Sequence, residues 1–499
     1  MNPLSPRSGT GTTSAGISSV SNIGAVPASS LEVDYVVVGA GATGLAFTDA
    51  LIGESDATVL MVDRRHGPGG HWNDAYPFVR LHQPSAFYGV NSRNLGEDRI
   101  DATGPNAGFY ERATAAEICQ YFQAVMTDVL LASGRVEFLS MTDCTLDKRG
   151  RVRVVSRMTG TEREVTVRRK VVDARFLESS IPATHTPKFT LDDGVNLIPV
   201  NDLVRTDHPP GGYVVIGAGK TGMDACGWLL ETGVKPDDIS WIKPRESWVI
   251  ERATFQPRAK VGSFITAWAA AVEAAAAAVS VPDLFGRLEE AGELKRIDAS
   301  IDPSMYRMAI LSEFELGQLR HIENVVRAGH VRRIEPHRIL LQDADVRTRA
   351  DALYVDCTAE GLPRPPAQPI FEPQRITIQP VREGSPTFNA ALIGYLEATR
   401  DDIDEQSALV PTNPYPSAAE DWIRVRHVGM IAQRRWDQTP DLSDWIDNSR
   451  LNVASHLADH AAEPGVGQAI GSYFENADRA IDNLGALRAQ LGDDVTAAS

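Results

Sequence analysis

Tyr35-Val36-Val37-Val38-Gly39-Ala40-Gly41-Ala42-Thr43-Gly44 decides the fold: an apolar, β-branched run passes directly into G-x-G-x-x-G. Four consecutive apolar residues read as a strand buried on both faces, the mark of a parallel sheet. In such a turn Gly39 permits the sharp exit from the strand, Gly41 lets backbone approach a pyrophosphate, and Gly44 lets helix pack on strand. The helix that follows would offer the N–H groups of Ala42 and Thr43 and its positive dipole end to phosphate. Leu45–Ile52 has helical spacing and Ala57–Val62 reads as the next strand, which completes a βαβ unit ending on Asp63. A carboxylate there is placed to accept ribose hydroxyl hydrogen bonds, with Arg64 beside it.

The pattern recurs. Tyr213-Val214-Val215-Ile216 leads into Gly217-Ala218-Gly219-Lys220-Thr221-Gly222, a helix predicted over Met223–Glu231 and a strand at Ile239–Ile242. Here the second strand is followed by Lys243, Pro244 and Arg245, with no acid. Cations at that place suit a 2′-phosphate and so NADPH; a solvated pair on a loop is the plainer reading. Two such turns in one chain imply two dinucleotides, one a flavin and the other a nicotinamide that reduces it.

The remaining chain fills in around these units. Residues 67–94 read as loop, Thr114–Ala132 as an amphipathic helix, Val136–Lys170 as a β-meander with turns at Asp147–Gly150 and Thr159–Gly160, and Val171–Ala174 as a short strand. An Ala-rich helix is expected over Ala269–Val281, a helix over Ser304–Val326, a hairpin over Val331–Asp345 and a strand over Ala352–Cys357. Beyond Pro363, Pro-rich loops and helices at Ser417–Arg426, Asp444–Ala458 and Gln468–Leu491 are expected; Trp422, Trp436, Trp445, Tyr395 and Tyr415 read as core filling sooner than as a substrate wall. The first 30 residues, rich in Ser, Gly and Thr, read as a disordered tail.

Composition excludes several classes. Lys plus Arg number 49 against 66 Asp plus Glu, a net charge of −17, which disfavours general binding to nucleic acid or anionic membrane. Cys119, Cys144, Cys226 and Cys357 have neither C-x-x-C nor zinc-ligand spacing, so a redox dithiol and a metal site are not expected. No apolar run approaches the ~20 residues that span a bilayer, and a cytoplasmic protein is expected.

After the ribose acid comes Gly69-Gly70-His71-Trp72. It resembles the GGxW element of flavin-dependent monooxygenases of the flavin-containing and Baeyer–Villiger type, and the order of glycine turn, acid, GGxW and second glycine turn is similar. The resemblance covers roughly residues 33–360. It implies an α/β protein of two Rossmann-like units: an FAD domain over residues 31–205 and 335–499, the latter carrying the C-terminal helices, with an NADPH domain, 206–334, inserted between. It also implies that Gly70, His71 and Trp72 line the flavin site. Arg80-Leu81-His82-Gln83-Pro84-Ser85 resembles the family stretch that faces the flavin ring, which would make Gln83 an amide donor there and His82 a proton donor; a loop residue satisfied by backbone is the alternative for both. Asp356–Gly361 and Val172–Ala174 resemble the crossings between the two domains.

One element departs from the family. The F-x-G-x-x-x-H-x-x-x-W/Y/F fingerprint is absent: Phe176, His185 and Phe189 stand without the Gly and at the wrong spacing. The resemblance therefore implies a divergent member and leaves three readings open. One is a monooxygenase acting through a flavin C4a-peroxide on a small organic substrate with dioxygen. The second is an NADPH-dependent flavin reductase or dehydrogenase without oxygen insertion, and the third a non-enzymatic flavin-binding sensor. A homodimer is open as an assembly.

Overall fold

A computed structural model of the protein describes residues 31–147, 151–209 and 211–492. The expected tail, 1–30, and most of the expected turn at Asp147–Gly150 lie outside the described residues.

Leu31–Val38 is the central strand of the first sheet. Parallel to it on one side run Val59–Val62 and then Val136–Leu139, and on the other Glu162–Asp173 and then Arg375–Thr377. The register Tyr35↔Val59 to Val38↔Val62 brings both strands to their ends together, so that the turn at Gly39 and the acid at 63 lie side by side. Glu162–Asp173 works twice. Its first half pairs antiparallel with Val152–Ser156 to make the meander with Thr142–Leu146, and its last residues continue the parallel layer. Val136–Leu139 thus belongs to the parallel layer and not to the meander, and Val171–Asp173 is the end of a long strand and not a separate one.

The second sheet is parallel throughout, in the order Val325–Val326, Ile239–Ile242, Tyr213–Ile216, Leu353–Asp356, Leu197–Pro199. Two of its strands, Leu197–Pro199 and Leu353–Asp356, come from outside 206–334, one preceding that stretch and one following it. The expected two parallel-sheet βαβ units are therefore both present.

Further expectations change. Ser304–Val326 is not one helix: Met305–Leu311 is a strand parallel to Ser247–Glu251, and the helix is only Glu313–Arg320, started by a capping box of Ser312 and Glu315. An unbroken apolar run fits a buried strand as well as a helix, and pairing with Ser247–Glu251 decides it. A helix at Pro386–Thr399, within the stretch read as Pro-rich loop, packs against Ala42–Glu54. Every residue from Thr387 to Glu397 is buried, so no polar face is left to mark a helical period.

The small sheet of Leu294–Lys295, Ser247–Glu251 and Met305–Leu311 shares a core with the helices Val261–Ala277, Asp421–Asp437 and Val466–Gln490. This third body closes over the carboxyl ends of the first sheet, where the cavity lies.

Candidate functional site

A cavity of about 630 Å³ opens where the first sheet's strands end, the usual place for ligands in open α/β sheets. Gly39, Gly41, Ala42 and Thr43 line it from one strand end, Asp63 from the next, and Ala174 and Arg175 from the third. The helix Ala42–Glu54 begins there with no side-chain cap and no acid in its first turn. An end of this kind leaves N–H donors for an anion. Asp63, 6% exposed, accepts from the N–H of Ala40 at 2.7 Å and of Arg65 at 2.8 Å, which fixes its carboxylate at the rim of the turn.

The Gly69–Trp72 loop is docked on this turn. The Gly69 N–H donates to the Ala40 carbonyl at 2.9 Å, and Gly70 lies face to face with Gly41. His71 and Trp72 both line the cavity, their rings 5.0 Å apart, and the Trp72 indole N–H donates to the Tyr88 hydroxyl at 2.8 Å. His82 and Gln83 line it too. Gln83 is 8% exposed and its amide nitrogen has no hydrogen-bond partner among the described residues, a costly condition that a bound acceptor would relieve. Burial, with Lys220 nearby, pulls His82 down to about 3, and burial, with Arg65, pulls His71 down to about 4. At neutral pH both rings are uncharged: His82 offers one N–H and one lone pair, not an imidazolium proton.

Arg64 is exposed and ion-paired with Glu178 at the surface; it is Arg65, held by Asp74 at 3.0 Å, that lines the cavity. The cavity also has an apolar arm that the sequence did not point to, walled by Phe255, Phe264, Trp268, Tyr473 and Phe474. Phe264 and Trp268 lie one turn apart on the Ala-rich helix, which is the one local signal that could have found them. Of the five C-terminal aromatics only Tyr415 lines the cavity; Trp436 and Tyr395 belong to the first core and Trp422 to the third.

The second glycine turn does not line this cavity. It is well formed: Gly217 is left-handed at φ 134°, and the helix Lys220–Glu231 starts at Gly219 with no side-chain cap. Thr221 and Gly222 sit in its first turn. Lys220 is ion-paired with Asp224, which also accepts from the Tyr76 hydroxyl at 2.7 Å. Lys243 differs from the sequence expectation of a phosphate-facing cation. It is 1% exposed, paired with Glu246 at 2.5 Å, and lies over the Trp241 ring at 4.3 Å. Arg245 is exposed at the end of the same strand. No group of His, Cys, Asp and Glu that could hold a metal occurs among the described residues, and no described helix is long and apolar enough to cross a membrane.

The depressed histidines make stability depend on pH. His427, 5% exposed, is pulled down to about 4 by burial and by Arg488, whose N–H donates to the ring at 3.0 Å. A histidine whose folded pKa lies below its unfolded value takes up a proton more readily when unfolded. Stability is thus intact above about pH 6.5 and falls as pH drops from 6.5 toward 4, by about 1.4 kcal/mol per pH unit for each such group. Melting curves at pH 7, 6 and 5 should therefore fall steeply, and His427→Asn should flatten the slope; an unchanged slope would show that His427 does not carry it.

Residues 37–90 match the family model described as NAD(P)-binding Rossmann-like domain. Among solved structures, the chain is similar to a flavin-containing monooxygenase from Stenotrophomonas maltophilia (16% identity, 76% of this chain and 99% of that one, TM-score 0.43). It is also similar to an oxidized steroid monooxygenase bound to NADP (16%, 75% and 90%, TM-score 0.46). A 90-residue stretch, 18% of this chain, is 34% identical to 28% of a ferredoxin–NADP reductase from Salinispora tropica. Over nearly its whole length the chain is similar to "Uncharacterized protein Rv2000" of Mycobacterium tuberculosis and "Uncharacterized protein Mb2023" of Mycobacterium bovis: 46% identical over 473 residues, 94% of this chain and 86% of each relative. The chain belongs to the family of these two mycobacterial proteins.

Proposed function

We propose that the protein is an FAD- and NADPH-dependent oxidoreductase, and that it inserts oxygen into an apolar organic substrate. The observation that carries this is the meeting, in one cavity, of an uncapped helix end at Gly41, the carboxylate of Asp63, the unpartnered Gln83 amide and an apolar arm. These residues fit a flavin dinucleotide. Gly41, Ala42 and Thr43 would hold its pyrophosphate, Asp63 its ribose, and Gly70, His71 and Trp72 the path toward the ring, with Gln83 donating to a ring or nicotinamide oxygen. The match of residues 37–90 to an NAD(P)-binding Rossmann-like domain supports a dinucleotide at the first turn.

FAD, when bound, supplies hydride acceptance and reactivity toward dioxygen. The chain's own part is binding and exclusion of water: His71 and His82, both uncharged at neutral pH, and the aromatic arm help to keep the cavity dry. NADPH is assigned to the turn Gly217–Gly222 of the inserted unit, 206–334, with Lys220 and Thr221 at its helix start and Arg245 on the 2′-phosphate side. The FAD body is 31–205 with 335–499.

The second reading, flavin reduction without oxygen insertion, is favoured by the missing Gly and displaced His between Phe176 and Phe189. The apolar arm favours a substrate and therefore insertion. The test is purification, extraction and identification of the flavin, then oxygen uptake and hydrogen peroxide release under NADPH with apolar candidates present. A protein that takes up no FAD when FAD is added defeats the proposal. FAD bound, with all consumed oxygen released as peroxide for every candidate, selects the second reading.

A further inference from the structure

Four arginines line the cavity, and three of them are ion-paired. Arg65 pairs with Asp74 at 3.0 Å, Arg175 with Asp173 at 3.2 Å, and Arg426 with Glu293 at 3.0 Å. The fourth, Arg382, makes no ion pair among the described residues. Its guanidinium donates to two neutral oxygens, Asn452 Oδ1 at 2.8 Å and Gln433 Oε1 at 2.9 Å. It is stacked over Phe388 at 4.1 Å and Trp436 at 4.9 Å. Asp437, which also lines the cavity, accepts from the Gln433 amide at 2.8 Å.

A guanidinium held between two rings by two neutral amides is fixed in direction but not discharged. Ring faces offset part of its charge. A planar fork that lines the cavity and makes no direct ion pair with a carboxylate among the described residues is the arrangement that recognises a carboxylate. Gln433, which holds the fork, lies on the helix Asp421–Asp437, and that helix packs against Val466–Gln490, which carries Tyr473, so the cation and the apolar arm face one cavity.

The geometry points to a substrate class: an elongated apolar molecule bearing a carboxylate, the carboxylate on Arg382 and the chain along Phe264, Trp268 and Tyr473. This rests on the proposed oxidoreductase reading, whose cavity it shares. Asn452 and Gln433 are positioning residues that hold the fork.

The probes are decanoate and 1-decanol, equal in chain length, titrated into the FAD-reconstituted protein and followed by tryptophan fluorescence. Decanoate should bind at least about tenfold more tightly than decanol. Arg382→Gln should weaken decanoate about hundredfold and decanol by less than about threefold, with Arg382→Lys in between. Equal affinities in the wild type, no binding of either probe, or equal loss of both in Arg382→Gln overturns the proposal. Flavin content is measured on the same preparations. If Arg382→Gln loses FAD while keeping its preference for decanoate, the arginine serves the dinucleotide and the proposal fails. If the wild type takes up no FAD yet prefers decanoate, the carboxylate subsite stands and the flavin reading falls.

Discussion

Gly44→Ala is expected to cost about 4 kcal/mol of stability and to abolish FAD uptake, whereas Gly41→Ala three residues earlier should fold normally and still fail to bind FAD. A Cβ on Gly44 would lie 1.9 Å from the Gly39 carbonyl oxygen and 3.3 Å from the Ala174 Cβ. Both are fixed by the sheet, since Gly39 follows the strand Leu31–Val38 and Ala174 follows Glu162–Asp173. The helix Ala42–Glu54 must therefore lift, and it carries an unbroken buried run from Gly44 to Ile52 that packs under Pro386–Thr399. At Gly41 the backbone is extended, φ −79° and ψ −175°, and the nearest atom to an added Cβ is the Gly70 Cα at 3.5 Å, an ordinary contact. Alanine there costs the apoprotein at most about 0.5 kcal/mol, but its methyl occupies the face on which a pyrophosphate would rest. Thermal melts of the apoproteins and flavin content after reconstitution separate the two. Gly44→Ala should lower the midpoint by roughly 4 °C and Gly41→Ala should leave it in place. A Gly41→Ala protein that loads FAD like the wild type would remove the pyrophosphate from this turn.

That contrast shows why the glycine turns were legible in the sequence. Gly39, Gly41, Gly44 and Asp63 act through local stereochemistry: strand, turn and helix follow one another without a gap, and the register of two adjacent strands sets where the acid falls. The second unit was legible on the same terms, down to the strand Ile239–Ile242. The cavity's far wall was not, because Phe264 and Trp268 meet Tyr473 and Phe474 only through packing of Val261–Ala277 on Val466–Gln490, helices distant in sequence. Pro386–Thr399 was hidden by being buried all round. Met305–Leu311 was hidden because an apolar run carries no period, and its partner strand Ser247–Glu251 lies beyond two helices. Arg382 was invisible for a related reason: what sets it apart is a missing carboxylate partner, a property of what surrounds it in space.

Lys243 is the sharpest case, and it carries the second large effect. Its ammonium sits 2.5 Å from Glu246 Oε2, with the two side chains 1% and 4% exposed, while Glu246 Oε1 accepts from Arg327 at 2.7 Å. Burial pushes the lysine's pKa down, and Glu246 opposes that shift. Glu246→Ala removes the carboxylate that is ion-paired with the cation and should cost about 3–5 kcal/mol. Replacing both partners, Lys243→Met with Glu246→Leu, should recover most of the loss, because no charge is then stranded. Arg327 keeps Asp298 at 2.9 Å in either case. Denaturant midpoints of the single and double variants measure this. An Glu246→Ala protein as stable as the wild type would mean that water or another acid reaches Lys243. The double variant also tests cofactor choice. A lysine sealed against Glu246 and Trp241 cannot meet a 2′-phosphate, so the ratio of NADPH to NADH turnover should be unchanged in it and should fall in Arg245→Ala. A double variant that loses its preference for NADPH would return Lys243 to the phosphate site where its position after the strand had first suggested it.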